Sequence, residues 1–82
     1  MRIKDNETLL FIGDSITDAG RARPVGEGRG LGNGYPLFVD ALLTNFYPEK
    51  RIRVLNTGVS GDTVRRLADR WQQDVLDHAP DW

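Results

Sequence analysis

Two short polar stretches of the sequence carry residues that could do chemistry. Gly13, Asp14 and Ser15 directly follow the apolar run of residues 8–12, and residues 56–63, with the sequence NTGVSGDT, follow a second apolar run. A serine hydroxyl becomes a nucleophile when a general base accepts its proton and N–H donors stabilise the oxyanion that forms. Glycines let backbone N–H groups approach a ligand closely. The two stretches point to acyl transfer or to the binding of an anion.

Ser15 also has a purely structural interpretation. A serine that directly follows a strand is a favoured helix N-cap, where its oxygen accepts a hydrogen bond from a free backbone N–H. The local residues leave both interpretations of Ser15 open. Asp18, Asp62 and Thr63 are interpreted as helix caps or loop braces rather than as catalytic groups.

The elements around these stretches alternate between strand and helix. Residues 8–12 (TLLFI) form a continuous apolar run typical of a buried strand in a parallel sheet, and residues 52–55 form a second β-rich run. Between them the glycine-rich residues 20–34 are predicted to form a loop, and the stretch of residues 35–49 is predicted to contain a helix that is closed by Pro48. The apolar stripe of this helix is predicted to contain Leu37 or Phe38, Ala41, Leu42 and Phe46.

A second helix is predicted after residues 56–63, with Asp62 or Thr63 as its cap. Its apolar residues recur at three- and four-residue spacing: Val64, Leu67, Ala68, Trp71 and Val75, with Leu76 as a further candidate. Strand, helix, strand, helix predicts an α/β fold with a parallel sheet, in which both polar stretches lie at the carboxyl ends of strands. Two strands leave sheet edges and helix faces uncovered, so residues 1–82 are predicted to be the incomplete N-terminal part of a single domain.

The composition excludes several classes of function. The 82 residues have 11 basic and 12 acidic side chains mixed along the chain, which gives no sign of a nucleic-acid or membrane partner. The absence of cysteine excludes disulfides, thiolate nucleophiles and cysteine-ligated metals. The first apolar run is too short for a signal peptide or a membrane span, which favours a cytoplasmic protein.

The glycine-rich loop does not fit a phosphate-binding motif. Its glycines do not match G-x-G-x-x-G in register, and no G-K-[ST] follows. Arg21, Arg23 and Arg29 in this loop are expected to be solvated, or to line the rim of a substrate site.

Residues 11–17 (FIGDSIT) resemble the first signature block of the GDSL esterases and lipases, also called SGNH hydrolases. Residues 56–63 resemble the second block, and residues 78–82 (HAPDW) resemble the lead-in to the third. The resemblance covers nearly the whole chain. It implies a flavodoxin-like, three-layer α/β fold, of which these residues supply the first two βα units, and a serine esterase acting on carboxylic esters without cofactor or metal.

The same resemblance implies roles for individual residues. Ser15 matches the nucleophile, and its own N–H would be one oxyanion donor. Gly61 matches the second donor, and Gly58 is then interpreted as a turn glycine. Asp14 is expected to accept hydrogen bonds that shape its turn, and Asn56 to tie the two loops together.

The remaining residues of the family's machinery are not in this sequence. The third oxyanion donor, an asparagine, and the Asp-x-x-His pair that activates the serine would lie after residue 82. The chain's only histidine, His78, is expected to contact the last carbonyls of the second helix rather than to act as the base. The 82-residue piece alone is therefore predicted to be inactive.

The glycine-rich residues 20–30 indicate which class of ester the resemblance implies as the substrate. They are similar to the loop of acetylxylan-esterase-like members that deacetylate plant polysaccharides or their oligosaccharides, which implies short acyl esters, above all acetyl esters, of carbohydrates as substrates. The polar, arginine-bearing loop fits such a substrate better than a lipid. Two alternatives stay open: a flavodoxin-like module that binds a nucleotide or another anion, and a non-catalytic fragment.

Overall fold

The structure, a computed structural model, describes residues 2–82. Three strands, Thr8–Phe11 (β1), Gly26–Glu27 (β2) and Arg53–Asn56 (β3), form one sheet in the order β1-β3-β2. β1 and β3 pair in parallel, whereas β2 pairs antiparallel with β3. The parallel pair is confirmed. The prediction of a purely parallel sheet is wrong, because part of the glycine-rich loop returns along β3 as a strand.

Four helices connect and flank these strands: Ser15–Asp18 (α1), Tyr35–Phe46 (α2), Val64–Asp69 (α3) and Trp71–Asp74 (α4). Short 3-10 turns cover Gly28–Gly30, Pro48–Lys50 and Leu76–His78. No helix within residues 2–82 is both long and apolar enough to cross a bilayer.

Helix α2 is the long connection between β1 and β3, and its predicted extent is confirmed. Pro36 occupies the first turn, where its missing N–H removes no helical hydrogen bond. The predicted apolar stripe of this helix is wrong. Phe38, Leu42 and Phe46 are 63%, 56% and 66% exposed, whereas Pro36 is buried and Leu43 half-buried. A neighbouring stripe of the helix therefore faces β3, against which the helix packs.

The second predicted helix is divided at Arg70 into α3 and α4. Arg70 has φ −104° and ψ 8°, outside the regular helical values. Thr63 is the cap, since its side chain accepts a hydrogen bond from the Arg66 N–H at 3.2 Å. Val75 is the buried member of the predicted stripe, whereas Val64 is 85% exposed. The apolar spacing located the helix correctly but did not predict its break or its exposure.

The apolar core is small and lies beside the sheet. Leu10, Leu55 and Val75 form its centre, and Ile12 and Val25 pack against it. Next to this core, at the carboxyl ends of β1 and β3, lies a group of buried polar residues: Thr17, Asp18, Arg21, Asn56 and Thr57. The polar end of the sheet is therefore as well shielded from solvent as the apolar core.

The last described residues lie along the other edge of β1. The Trp82 N–H donates to the Thr8 carbonyl at 3.2 Å, and the Leu10 N–H donates to the Trp82 carbonyl at 3.0 Å, the alternation of a parallel pair. His78 lies just before this segment, in the last 3-10 turn. Within residues 2–82 its side chain makes no hydrogen bond to the last helical carbonyls, so that prediction is wrong.

Candidate active site

The turn after β1 places Ser15 at the first position of α1, with its side chain exposed. Asp14, not Ser15, is the N-cap of this helix, because its Oδ1 accepts a hydrogen bond from the Ile16 N–H at 3.2 Å. The Ser15 hydroxyl is therefore not used as the cap. Gly13 makes the tight turn possible, since a Cβ there would lie 2.5 Å from the Thr17 Oγ1.

Asn56, at the end of β3, is fully buried and connects three segments. Its amide nitrogen donates to the carbonyls of Thr17, at 2.7 Å, and Leu31, at 3.0 Å. Its amide oxygen accepts the Gly58 N–H at 2.9 Å. One side chain thus holds α1, the glycine-rich loop and the loop after β3 together.

The loop after β3 lies directly against the turn that carries Ser15. The Thr57 N–H donates to the Phe11 carbonyl and the Val59 N–H to the Gly13 carbonyl, each at 2.9 Å. These bonds extend the pairing of the two strands beyond their ends. The structure therefore brings the two polar stretches of the sequence together at the carboxyl-terminal ends of β1 and β3.

The two glycines of this loop have different environments. Gly58 is buried, and a Cβ there would lie 2.8 Å from the Asp18 nitrogen and 2.9 Å from the Thr17 Cβ. Its φ is not left-handed, so close packing, rather than a left-handed turn conformation, is what requires glycine here. Its N–H is already bonded to Asn56.

Gly61, by contrast, is open to solvent. Its φ is +76°, which favours glycine, and a Cβ there would have no atom within 4 Å. Within residues 2–82 no backbone or side-chain acceptor takes the Gly61 N–H or the Ser15 N–H. Both groups remain able to donate to a ligand.

Asp18 is a buried carboxylate, 2% exposed, that joins α1 to both loops. The Arg23 guanidinium grips it with two bonds, Nη1 to Oδ1 at 3.1 Å and Nη2 to Oδ2 at 2.6 Å. The Ser60 N–H also donates to Oδ2, at 2.8 Å. The bonds from Arg23 hold the pKa of Asp18 well below its ordinary value against the opposing effect of burial, and the Ser60 N–H adds to the lowering.

The sequence profile of the GDSL-like Lipase/Acylhydrolase family matches residues 11–82. The chain belongs to this family. An acetylxylan esterase from Geobacillus stearothermophilus is 58% identical to it over 84 residues, a match that covers 100% of this chain and 38% of the esterase. The chain thus spans well under half the length of this acetylxylan esterase.

Solved structures agree with the sequence relationship. Three catalytic mutants of Axe2, the acetylxylan esterase from Geobacillus stearothermophilus, carry alanine in place of a histidine, a serine or an aspartate. They match all of this chain, and 38% of their own length, with TM-scores of 0.97, 0.96 and 0.96 at 57–58% identity. LAE5, an alpha/beta hydrolase from the metagenome of Lake Arreo, Spain, gives a TM-score of 0.88 at 46% identity over 95% of this chain and 37% of its own.

Arg21 is a site residue that the sequence analysis misjudged. It is 6% exposed, and its guanidinium donates to the carbonyls of Gly58, at 2.6 Å, Ala22, at 3.0 Å, and Pro24, at 2.9 Å. The expectation of a solvated side chain is wrong because a bent loop presents several carbonyls that the five guanidinium N–H groups can satisfy. Arg29 is exposed, as expected.

Arg70 is a second site residue that the sequence did not reveal. Its guanidinium donates to the carboxylates of Asp62, at 2.9 Å from Nε, and Asp74, at 2.6 Å from Nη1. It also donates to the carbonyls of Thr57 and, at 3.4 Å, Gly13. Burial lowers the pKa of Arg70, but its bonds to Asp74 and Asp62 outweigh that effect and raise it. The i,i+4 spacing of Arg70 and Asp74 is typical of an ion pair on a helix, and it was the signal in the sequence that could have identified Arg70.

Proposed function

We propose that the protein containing these residues is a serine esterase that hydrolyses carboxylic esters. The observation that carries the proposal is the exposed Ser15 hydroxyl at the start of α1, next to a loop in which the Gly61 N–H is open. A catalytic mutant of Axe2, S15A, replaces a serine with the same residue number. Residues 1–82 are then the first two βα units of a single flavodoxin-like, three-layer domain.

The reaction follows from these groups. The Ser15 oxygen attacks the ester carbonyl carbon, and its proton passes to a general base as the tetrahedral intermediate forms. The N–H groups of Ser15 and Gly61 donate to the oxyanion. Collapse of the intermediate breaks the bond to the alcohol, which leaves with the proton. Water then attacks the acyl-enzyme with help from the same base and releases the acid and the free serine.

The base is proposed to be a histidine paired with an aspartate in a part of the protein outside residues 1–82. The catalytic mutants of Axe2 include a histidine and an aspartate as well as the serine. His78 is not proposed as the base, because it lies in the turn beyond α4, whereas Ser15 lies at the carboxyl end of β1. The third oxyanion donor is likewise proposed to lie outside these residues.

The proposed substrates are acetyl esters of small carbohydrates or oligosaccharides. Support comes from the acetylxylan esterase activity named for the relative that is 58% identical over the whole chain. Cytoplasmic location, no cofactor or metal, and no nucleic-acid or membrane partner remain predictions from the sequence.

The decisive experiment compares Ser15→Ala with the unaltered full-length protein in the hydrolysis of p-nitrophenyl acetate and of acetylated xylo-oligosaccharides. Loss of the nucleophile is expected to lower kcat by at least about 10⁴-fold. Thr44→Ala is the matched control, since it removes a hydroxyl from the exposed side of α2. A Ser15→Ala variant that retains activity within tenfold would exclude the esterase mechanism. An unaltered protein that binds anions and has no esterase activity would favour the anion-binding alternative.

A further inference from the structure

We propose that Asp18 and Arg70 are positioning residues that clamp the Gly61 loop, defined as residues 60–62, so that the Gly61 N–H reaches the oxyanion. The inference rests on the proposed function. It assigns a role in that reaction to two side chains that touch neither the substrate nor the reacting atoms.

Gly61 cannot fix its own position. It has no side chain, its Cβ position is empty to 4 Å, and its N–H has no acceptor within residues 2–82. An oxyanion donor must nevertheless lie about 2.7–3.1 Å from the developing charge. The residues on either side of Gly61 must therefore hold it in place.

The first anchor acts on the residue before Gly61. The Ser60 N–H donates to the Asp18 carboxylate at 2.8 Å. Asp18 is the last residue of α1, the helix that begins with Ser15, and Arg23 holds its carboxylate with two bonds. Ser60, the residue before Gly61, is thus tied to the nucleophile's own helix.

The second anchor acts on the residue after Gly61. The Asp62 carboxylate, 3% exposed, accepts from Arg70 at 2.9 Å from Nε and 2.7 Å from Nη2. The same guanidinium donates to the Gly13 carbonyl, two residues before Ser15, and to the Thr57 carbonyl. The side chain of Asp62, the residue after Gly61, is thus tied through Arg70 to the turn that precedes the nucleophile.

The two anchors connect the oxyanion donor to both sides of Ser15. Loss of either would let the Gly61 N–H move while leaving the substrate's other contacts intact. A misplacement of about 1 Å costs about 10²-fold in rate. Lysine cannot replace Arg70, because a single ammonium lacks the planar fork that reaches two carboxylates and two carbonyls together.

The test measures kcat and KM for p-nitrophenyl acetate in the full-length variants Arg70→Lys, Asp62→Asn and Asp18→Asn. We expect kcat to fall about 10- to 100-fold, with KM changed less than about threefold. Affinity for phenylboronic acid, whose tetrahedral adduct with Ser15 places an oxygen in the oxyanion site, should weaken in parallel. Arg65→Lys is the matched control, because Arg65 is exposed on α3 and makes no side-chain hydrogen bond or ion pair within residues 2–82.

Thermal unfolding separates positioning from folding. Each variant is assayed well below its own Tm, and if Arg70→Lys does not fold, Asp62→Asn and Asp18→Asn carry the test. Folded variants with a lower Tm whose kcat and boronate affinity stay within twofold of the unaltered protein would overturn the clamp. A change in KM alone would also overturn it.

The failure of the clamp is distinguishable from failure of the proposed function. If the unaltered protein has no esterase activity, or if Ser15→Ala is as active as the unaltered protein, the proposed function fails and the clamp fails with it. If Ser15→Ala is inactive while all three clamp variants match Arg65→Lys, the esterase stands and the clamp alone is wrong.

Discussion

The two ends of β3 reach the glycine-rich loop with side chains of different kinds. At the start of the strand, Arg53 forms a two-bond ion pair with Glu27, at 2.7 Å and 3.0 Å, and the two side chains are 56% and 45% exposed. At the other end, Asn56 is completely buried and makes three hydrogen bonds at 2.7–3.0 Å. The bond lengths are similar, whereas the exposure to water is not.

The side chains at the two ends of β3 contribute differently to folding stability because they differ in exposure to water. Water competes for the Arg53–Glu27 pair, and such exposed pairs contribute about 0–1 kcal/mol. Water cannot replace a lost partner at Asn56, where each unsatisfied group costs about 1–3 kcal/mol. Within residues 2–82 every buried side-chain nitrogen or oxygen has a hydrogen-bond partner. The site end of the sheet is therefore sensitive to single substitutions, and the opposite end is tolerant.

Asn56→Ala tests the buried end most strongly. It leaves the carbonyls of Thr17 and Leu31 and the N–H of Gly58 without their partner, so the free energy of unfolding should fall by about 3–5 kcal/mol. Urea unfolding of the full-length protein measures the change. Asn45→Ala, at an exposed position of α2, is the control and should change stability by less than about 0.5 kcal/mol. A similar small effect at Asn56 would contradict the comparison.

Asp18→Asn sharpens the comparison by its pH dependence. The folded pKa of Asp18 lies below the ordinary value, so its contribution to stability is complete above about pH 4 and is lost as the pH falls through the folded pKa. The variant should be less stable by about 1–3 kcal/mol at pH 7, and the difference should shrink in acid. Urea midpoints at several pH values test this. Asp69→Asn, at an exposed position of α3, should show no such convergence.

Glu27→Gln tests the exposed end and should have the smallest effect. The bonds from Arg53 lower the pKa of Glu27 despite partial burial, but the pair lies largely in water. We expect the free energy of unfolding to change by less than about 1 kcal/mol, and this change to decrease further in high salt. A loss as large as that of Asn56→Ala would show that exposure does not separate the two ends of β3.

Local patterns predicted the elements of this chain well. β1, β3 and α2 lie where apolar runs, Pro36 and Pro48 placed them, and Thr63 caps α3. These signals depend on neighbouring residues, which a sequence displays directly. The pairing of residues 26–27 with β3 has no such local signal, because it joins positions about thirty residues apart.

The burial of individual side chains was less predictable. Phe38 and Val64 fit apolar stripes and yet are exposed. By contrast, the charged Arg21 is buried among carbonyls, and Arg70 is half-buried among carbonyls and carboxylates. Helical spacing shows which residues share a face, but the neighbour of that face depends on the whole fold. An arginine is buried only where the fold supplies acceptors for its donors.

The sequence by itself determined the family, the strand-end position of Ser15 and the glycines that the two loops require, because motif, spacing and backbone freedom are properties of short segments. Only the tertiary structure decided that Asp14 is the cap, that the Gly58 N–H is occupied while that of Gly61 is open, and that Asp18 and Arg70 hold the loop between them. The cap and the Gly58 bond join residues two positions apart, but the bonds that hold the loop join residues up to 57 positions apart, such as Gly13 and Arg70. Such contacts exist only once the chain has folded.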